Sequence, residues 1–139
     1  MKRLLYAGLL LAAISCKKDK DEDVVTTTPT REQLVGTYLQ TAELTDGVNT
    51  WTTAEYEPCE MDDTYSFNAD GTFVQTDAGS TCTGGGGSFT GDWTINGSTL
   101  SINGFGATVL RFDGRTLVVR STENINGTNT VTDITFTKQ

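Results

Sequence analysis

Six Asx-Gly pairs decide what this chain can fold into: Asp46-Gly47, Asp70-Gly71, Asn96-Gly97, Asn103-Gly104, Asp113-Gly114 and Asn126-Gly127. Such pairs accept positive φ at little cost and are the strongest short-range signal for a β-hairpin. Six of them between residues 46 and 127 imply an antiparallel meander. Between the turns, apolar residues recur every second position: Tyr65 with Phe67, Phe73 with Gln75, then Phe89, Gly91, Trp93 and Ile95 on one strand. Leu100 and Ile102, Leu110 and Phe112, Leu117 and Val119, and Ile134 and Phe136 extend the pattern. The intervening positions are mostly Thr, Ser, Asp, Asn and Arg, so each strand has one dry and one wet face.

Eight or nine strands are expected, near 36–45, 49–56, 62–68, 72–77, 88–95, 99–103, 107–112, 116–124 and 129–137. A sheet of that many strands avoids exposed edges most simply by closing on itself. Ahead of it, Thr30-Arg31-Glu32-Gln33-Leu34-Val35 carries the spacing of a capping box, with Thr30 and Gln33 as the reciprocal pair. One helical turn is expected there, plugging an open end.

The amino terminus, MKRLLYAGLLLAAISC, has Lys2 and Arg3 before an apolar stretch from Leu4 to Ile14. That stretch is too short to span a bilayer and suits a secretory signal. Ala13-Ile14-Ser15-Cys16 resembles a lipobox, the recognition site of bacterial lipoprotein signal peptidase. The resemblance implies cleavage before Cys16 and lipidation of its thiol and new amino group, with several acyl chains giving a stable membrane anchor. Lys17-Lys18-Asp19-Lys20-Asp21-Glu22-Asp23 and the Thr-rich stretch to Thr30 cannot bury a core and read as a solvated tether. The charge run also looks like an export signal for lipoproteins of the outer membrane. The expected organisation is a signal peptide over 1–15, a lipidated Cys and disordered acidic tether over 16–30, and one domain over 31–139. The location that follows is lipid-anchored at the outer membrane, on its periplasmic face or at the cell surface.

Charge and composition narrow the function classes. The chain carries a formal −8, and loss of Lys2 and Arg3 leaves eight basic against eighteen acidic residues. A nucleic-acid partner is not expected, because phosphate neutralisation needs clustered Lys and Arg. Histidine is absent, which removes the commonest general base, metal ligand and partner of a Ser or Cys nucleophile. No enzyme activity, cofactor or metal is expected.

A family resemblance rests on the order of several short motifs. Gly36-Thr37-Tyr38 follows the helical turn, and Cys59 precedes Thr64-Tyr65-Ser66-Phe67. Asp70-Gly71-Thr72-Phe73, Gly91-Asp92-Trp93-Thr94-Ile95 and Leu100-Ser101-Ile102 come next. Over about residues 33–137 the chain resembles the bacterial lipocalin-like domains of outer-membrane lipoproteins. The resemblance implies an all-β fold: a small up-and-down antiparallel meander closing into an eight- or nine-stranded lipocalin-like β-barrel.

With Cys16 lipidated, Cys59 and Cys82 remain, and in an oxidising compartment two such cysteines pair as a structural disulfide. Thr83-Gly84-Gly85-Gly86-Gly87-Ser88 lacks the Lys and the helix of a phosphate loop and reads as a hairpin loop able to cover the barrel mouth. Glu55, Glu57, Glu60, Asp62 and Asp63 follow no calcium-loop spacing and read as a solvated rim. Trp51 and Tyr56 are placed near the rim with their orientation open. Tyr38, Tyr65, Phe67, Phe73, Phe89, Trp93, Phe112 and Phe136 are expected to point inward, some of them lining a shallow apolar pocket. Two functions remain in view. One is a small hydrophobic or amphipathic ligand held in the barrel; the other is a filled barrel presenting loops to a protein partner, as an interaction or inhibitor module.

Overall fold

A computed structural model of the chain describes residues 25–84 and 87–139. Within them a short helix, α1 (Arg31–Leu34), precedes nine strands. These are β1 (Gly36–Thr45), β2 (Val48–Asn49), β3 (Thr64–Phe67), β4 (Thr72–Thr76), β5 (Phe89–Asn96), β6 (Thr99–Ile102), β7 (Phe105–Phe112), β8 (Thr116–Ile125) and β9 (Thr128–Lys138). Every neighbouring pair is antiparallel, and β9 returns to pair with β1, so β1 and β3–β9 form a closed eight-stranded barrel with β2 appended. Closure removes the exposed edges that an open sheet of this width would carry. None of the described helices is long and apolar enough to cross a membrane.

Each of the six Asx-Gly pairs lies at a reversal between consecutive strands. At Asp46-Gly47, Asn103-Gly104 and Asn126-Gly127 both residues have positive φ, between 49° and 85°. That geometry matches the twist of the flanking strands. The expected strand over 49–56 is not formed: β2 is two residues long, and 50–63 runs as successive turns. Pro58 supplies no ladder donor within that stretch.

Two β-bulges change which side chains face inward. In β7 the register slips between Val109 and Arg111, so Val109 and Phe112 are both buried while Leu110 stays outside the core. The expected pairing of Leu110 with Phe112 on one face is therefore corrected. An extra residue inverts the two-residue alternation beyond it. In β1 the slip between Gln40 and Ala42 lets Tyr38, Gln40 and Glu43 all be buried.

One end of the barrel is plugged. Thr30 and Gln33 form the expected capping box, and Leu34 inserts with no exposed surface. Tyr38 donates to the Leu34 carbonyl at 2.8 Å, and Lys138 Nζ donates to the Gln33 carbonyl at 3.1 Å. The Arg31 guanidinium lies 5.2 Å from the centre of the Trp93 ring. Residues 26–30, grouped with the tether on composition, pack here: Thr26 bridges Phe112 in both directions at 2.7 Å, and Pro29 is buried. The folded unit thus begins several residues before Arg31, because the open backbone edge at Phe112 offers partners that Thr26 can satisfy.

Candidate functional site

The plugged half of the barrel is filled. Tyr38, Phe67, Trp93 and Phe112 are fully buried there beside Leu100, Leu117 and Val109. Phe67 stands at the centre of this cluster, with ring centroids 5.6 Å from Tyr38, 5.1 Å from Trp93 and 5.3 Å from Phe73. These edge-to-face and tilted contacts are the favoured geometries of aromatic packing. Four of the eight aromatics expected as pocket candidates are therefore core, and Phe73, 5% exposed, joins them. Phe89 lies at the start of β5 and is 44% exposed at the rim.

Space remains at the opposite end, the mouth. Along β6–β9 a cavity of about 240 Å³ is walled by Leu100, Ile102, Ala107, Val119, Ile134 and Phe136, with Phe105, Ser121 and Glu123 toward the rim. The apolar inner positions of four consecutive strands meet here because period-2 alternation places them on one face. Of the eight aromatic candidates, Phe136 lines this cavity. Leu44, Val48, Phe89, Phe105 and Ile125 are all exposed, and the topology puts each at the mouth.

A second cavity of about 150 Å³ lies beside β3 and β4, bordered by residues of the 50–63 stretch and by Asp77, Cys82 and Gly87. Trp51, Tyr56, Glu60, Asp63, Tyr65 and Asp77 line it. Tyr65 and Phe136 touch across the boundary between the two cavities, with ring centroids 5.2 Å apart. Of the carboxylates expected as a solvated rim, Glu55, Glu57 and Glu60 are exposed and Asp62 is half-buried, whereas Asp63 is buried; Glu60 and Asp63 border the cavity.

The polar groups around this cavity are tied into the barrel wall. Glu43, brought inward by the bulge in β1, accepts from the Tyr56 hydroxyl through both carboxylate oxygens (2.8 and 2.9 Å), and from Thr50 Oγ1 (2.8 Å) and Gln40 Nε2 (3.2 Å). Burial and the hydrogen bond to Glu43 push the Tyr56 phenol up to about 12. Burial pushes Tyr65 to the same value, with Asp63 and Glu43 adding to it. Trp51 packs on Tyr56 with centroids 4.6 Å apart. Asp63 Oδ2 accepts from Gln75 Nε2 at 2.9 Å.

Two ties hold the covering loops. A disulfide joins Cys59 to Cys82, as the cysteine count anticipated, with Cα atoms 5.3 Å apart. Asp62 Oδ2 accepts from the Ser80 backbone N (2.9 Å) and hydroxyl (2.8 Å), which hold its carboxyl below the usual carboxylate range. Gly79, at φ +68°, lies where a side chain would collide with Asp62. In the Gly-rich loop, Gly87 reaches the cavity, and residues 85 and 86 lie outside the described residues. Glu57 approaches the two sulfurs closely enough to resemble a metal cluster, but both thiols are consumed by the disulfide.

The lipocalin-like domain profile matches residues 34–139, from the plug residue Leu34 through the strand that closes the barrel. The chain belongs to the lipocalin-like domain family. No curated protein matches it in sequence. In this lipocalin-like domain the cavity-lining aromatics Trp51 and Tyr56 lie in the irregular segment, where no alternation exists to orient them. The aliphatic wall was legible as inward-facing strand positions, but which inward positions border space depends on their height in the barrel. Cys16, the expected lipidation site, lies outside the described residues.

Proposed function

We propose that the protein is a lipid-anchored lipocalin-like carrier that holds a small hydrophobic or amphipathic molecule in the barrel mouth. The observation that carries this reading is the 240 Å³ cavity, walled by aliphatic residues of four strands above a filled lower half. Small-molecule sites are concave and mostly apolar with a few placed polar groups, and Ser121 and Glu123 supply such groups at the rim. Binding rather than catalysis is the role assigned, since the sequence lacks histidine, the usual activator of a Ser or Cys nucleophile.

Lipidation at Cys16 is part of the proposal, supported by the charged, apolar and small-residue order of residues 1–16. Thr26 pairs at the plugged end, opposite the mouth. Ten residues of chain from Cys16 to Thr26, at most about 35 Å when extended, would leave the mouth facing away from an outer-membrane anchor, on the periplasmic face or at the cell surface.

A fluorescent apolar probe, displaced in turn by octanol, octanoate and longer fatty acids, tests the reading. Saturable displacement is expected. No displacement by any of these would overturn it and favour the protein-interaction module, for which the exposed rim residues Leu44, Val48, Phe105 and Ile125 supply a contact surface. The mass of the mature protein checks the anchor: acyl chains on Cys16 are expected, and an unmodified full-length mass refutes it.

A further inference from the structure

Asp63 is out of keeping with its surroundings. It is 8% exposed, Gln75 satisfies one carboxylate oxygen, and Oδ1 is buried without any hydrogen-bond partner while the residue borders the 150 Å³ cavity. Asp77 Oδ1, on the same wall, is also buried and unpartnered. A buried carboxylate that is only partly satisfied is costly, so positive charge placed in the cavity that Asp63 and Asp77 border is favoured. Glu43 makes the contrast: its two oxygens are occupied by Tyr56, Thr50 and Gln40. The ion pairs among the described residues, Arg111–Asp113 and Arg120–Asp133, involve neither Asp63 nor Asp77.

We infer that this cavity receives an organic ammonium group, the charged head of a ligand whose apolar part occupies the neighbouring cavity. The inference rests on the binding function proposed above. Glu60, Asp63 and Asp77 supply the charge, and Trp51, Tyr56 and Tyr65 present rings that attract an ammonium through their quadrupoles. The 150 Å³ volume equals about five water-sized units, the heavy-atom count of a trimethylammonium together with its first methylene. The two cavities are neighbours: Tyr65 lines this one and Phe136 the apolar one, with their ring centroids 5.2 Å apart. A calcium ion fits less well. Calcium takes six to eight oxygens, and the acidic groups gathered within ligand range among the described residues are not these three. The carboxylates also disfavour a head in which a phosphate adjoins the ammonium, so the ligand is a free amine or quaternary ammonium rather than a choline lipid.

Isothermal titration of the full chain with octyltrimethylammonium, octanol, tetramethylammonium, glycerophosphocholine and calcium chloride tests this. Octyltrimethylammonium is expected to bind about tenfold or more tighter than octanol and to weaken as salt rises. Asp63→Asn keeps the acceptor for Gln75 and is expected to weaken the ammonium about tenfold while leaving octanol within twofold. Trp51→Leu is expected to weaken the ammonium about threefold with octanol unaffected, which keeps the test open if the first variant unfolds. Equal binding of octanol and octyltrimethylammonium would overturn the inference and leave the carrier function standing. Tetramethylammonium binding that Asp63→Asn abolishes, with no octanol binding, would sustain the ammonium site and overturn both the apolar carrier and the placement of a tail in the neighbouring cavity. Calcium competing with the ammonium, or glycerophosphocholine binding more tightly than tetramethylammonium, would overturn the assignment.

Discussion

The size of the apolar cavity sets a sharp expectation for ligand length. At about 30 Å³ for a water-sized unit, 240 Å³ accommodates about eight methylene-sized groups. Each buried methylene contributes about 0.8 kcal/mol, so every added carbon tightens binding about fourfold. From butanol to octanol the affinity rises by about 200-fold, and beyond about eight carbons the extra chain stays in solvent and the curve flattens. Ala107 borders the cavity from β7. Ala107→Leu adds three carbons to the wall and moves the break to about five, with the slope below it unchanged. Because the added carbons enter space rather than packed core, the unfolding free energy should shift by less than about 1.5 kcal/mol. Probe displacement by a series of n-alkanols, on both proteins, gives the two curves. A slope continuing through dodecanol, no slope at all, or a break that stays put in the folded variant would refute the placement of the tail.

Three further outcomes follow from the wall and the plug. Burial pushes Tyr38 up to about 12, so the fold retains its phenol proton longer than the unfolded chain does. That stabilisation is complete below pH 10 and lost as pH rises toward 12, on the order of 3 kcal/mol at most; urea unfolding at pH 9, 10 and 11 should show the decline, shallower in Tyr38→Phe, and an equally steep decline in Tyr38→Phe contradicts it. Removing the disulfide by Cys59→Ser with Cys82→Ser frees a loop with a sequence separation of 23 and should cost about 3 kcal/mol in denaturant unfolding; a loss under about 1 kcal/mol would show that the Asp62–Ser80 contacts hold the loop unaided. In acid, Asp62 is held down by Ser80, Asp113 by the Thr116 amide and Asp133 by Arg120, so their contributions persist above the ordinary carboxylate range and vanish as pH falls through the depressed values. Thermal midpoints should be level between about pH 5 and pH 9 and drop below about pH 4, and a midpoint unchanged at pH 2 rules this out.

Turn chemistry and alternation are local properties, and they carried the architecture. An Asx-Gly pair reverses the chain wherever it stands between apolar runs, and alternate residues of a strand share a face in any sheet. Eight of the nine expected strands accordingly appear at nearly their expected positions, and the capping box at Thr30 and Gln33 forms as its spacing required. The strand over 49–56 failed for the complementary reason: its alternation was weak, and Pro58 with the disulfide at Cys59 favours turns.

What depended on the assembled barrel was everything set by height and convergence. Tyr38, Phe67, Trp93 and Phe112 look the same in a strand pattern as Tyr65 and Phe136, yet the α1 plug closes over the first four and leaves the last two beside open space. Bulges at Thr41 and Leu110 shifted the alternation so that Glu43 turned inward and Leu110 did not, a matter of strand register that no neighbouring residue announces. Asp63 and Asp77 came to share one cavity because strands β3 and β4, the disulfide and the Asp62–Ser80 contacts fold two distant segments onto each other. Local chemistry specifies where a chain bends and which face is wet; only closure of the sheet determines which inward side chains meet one another and which are left facing a void.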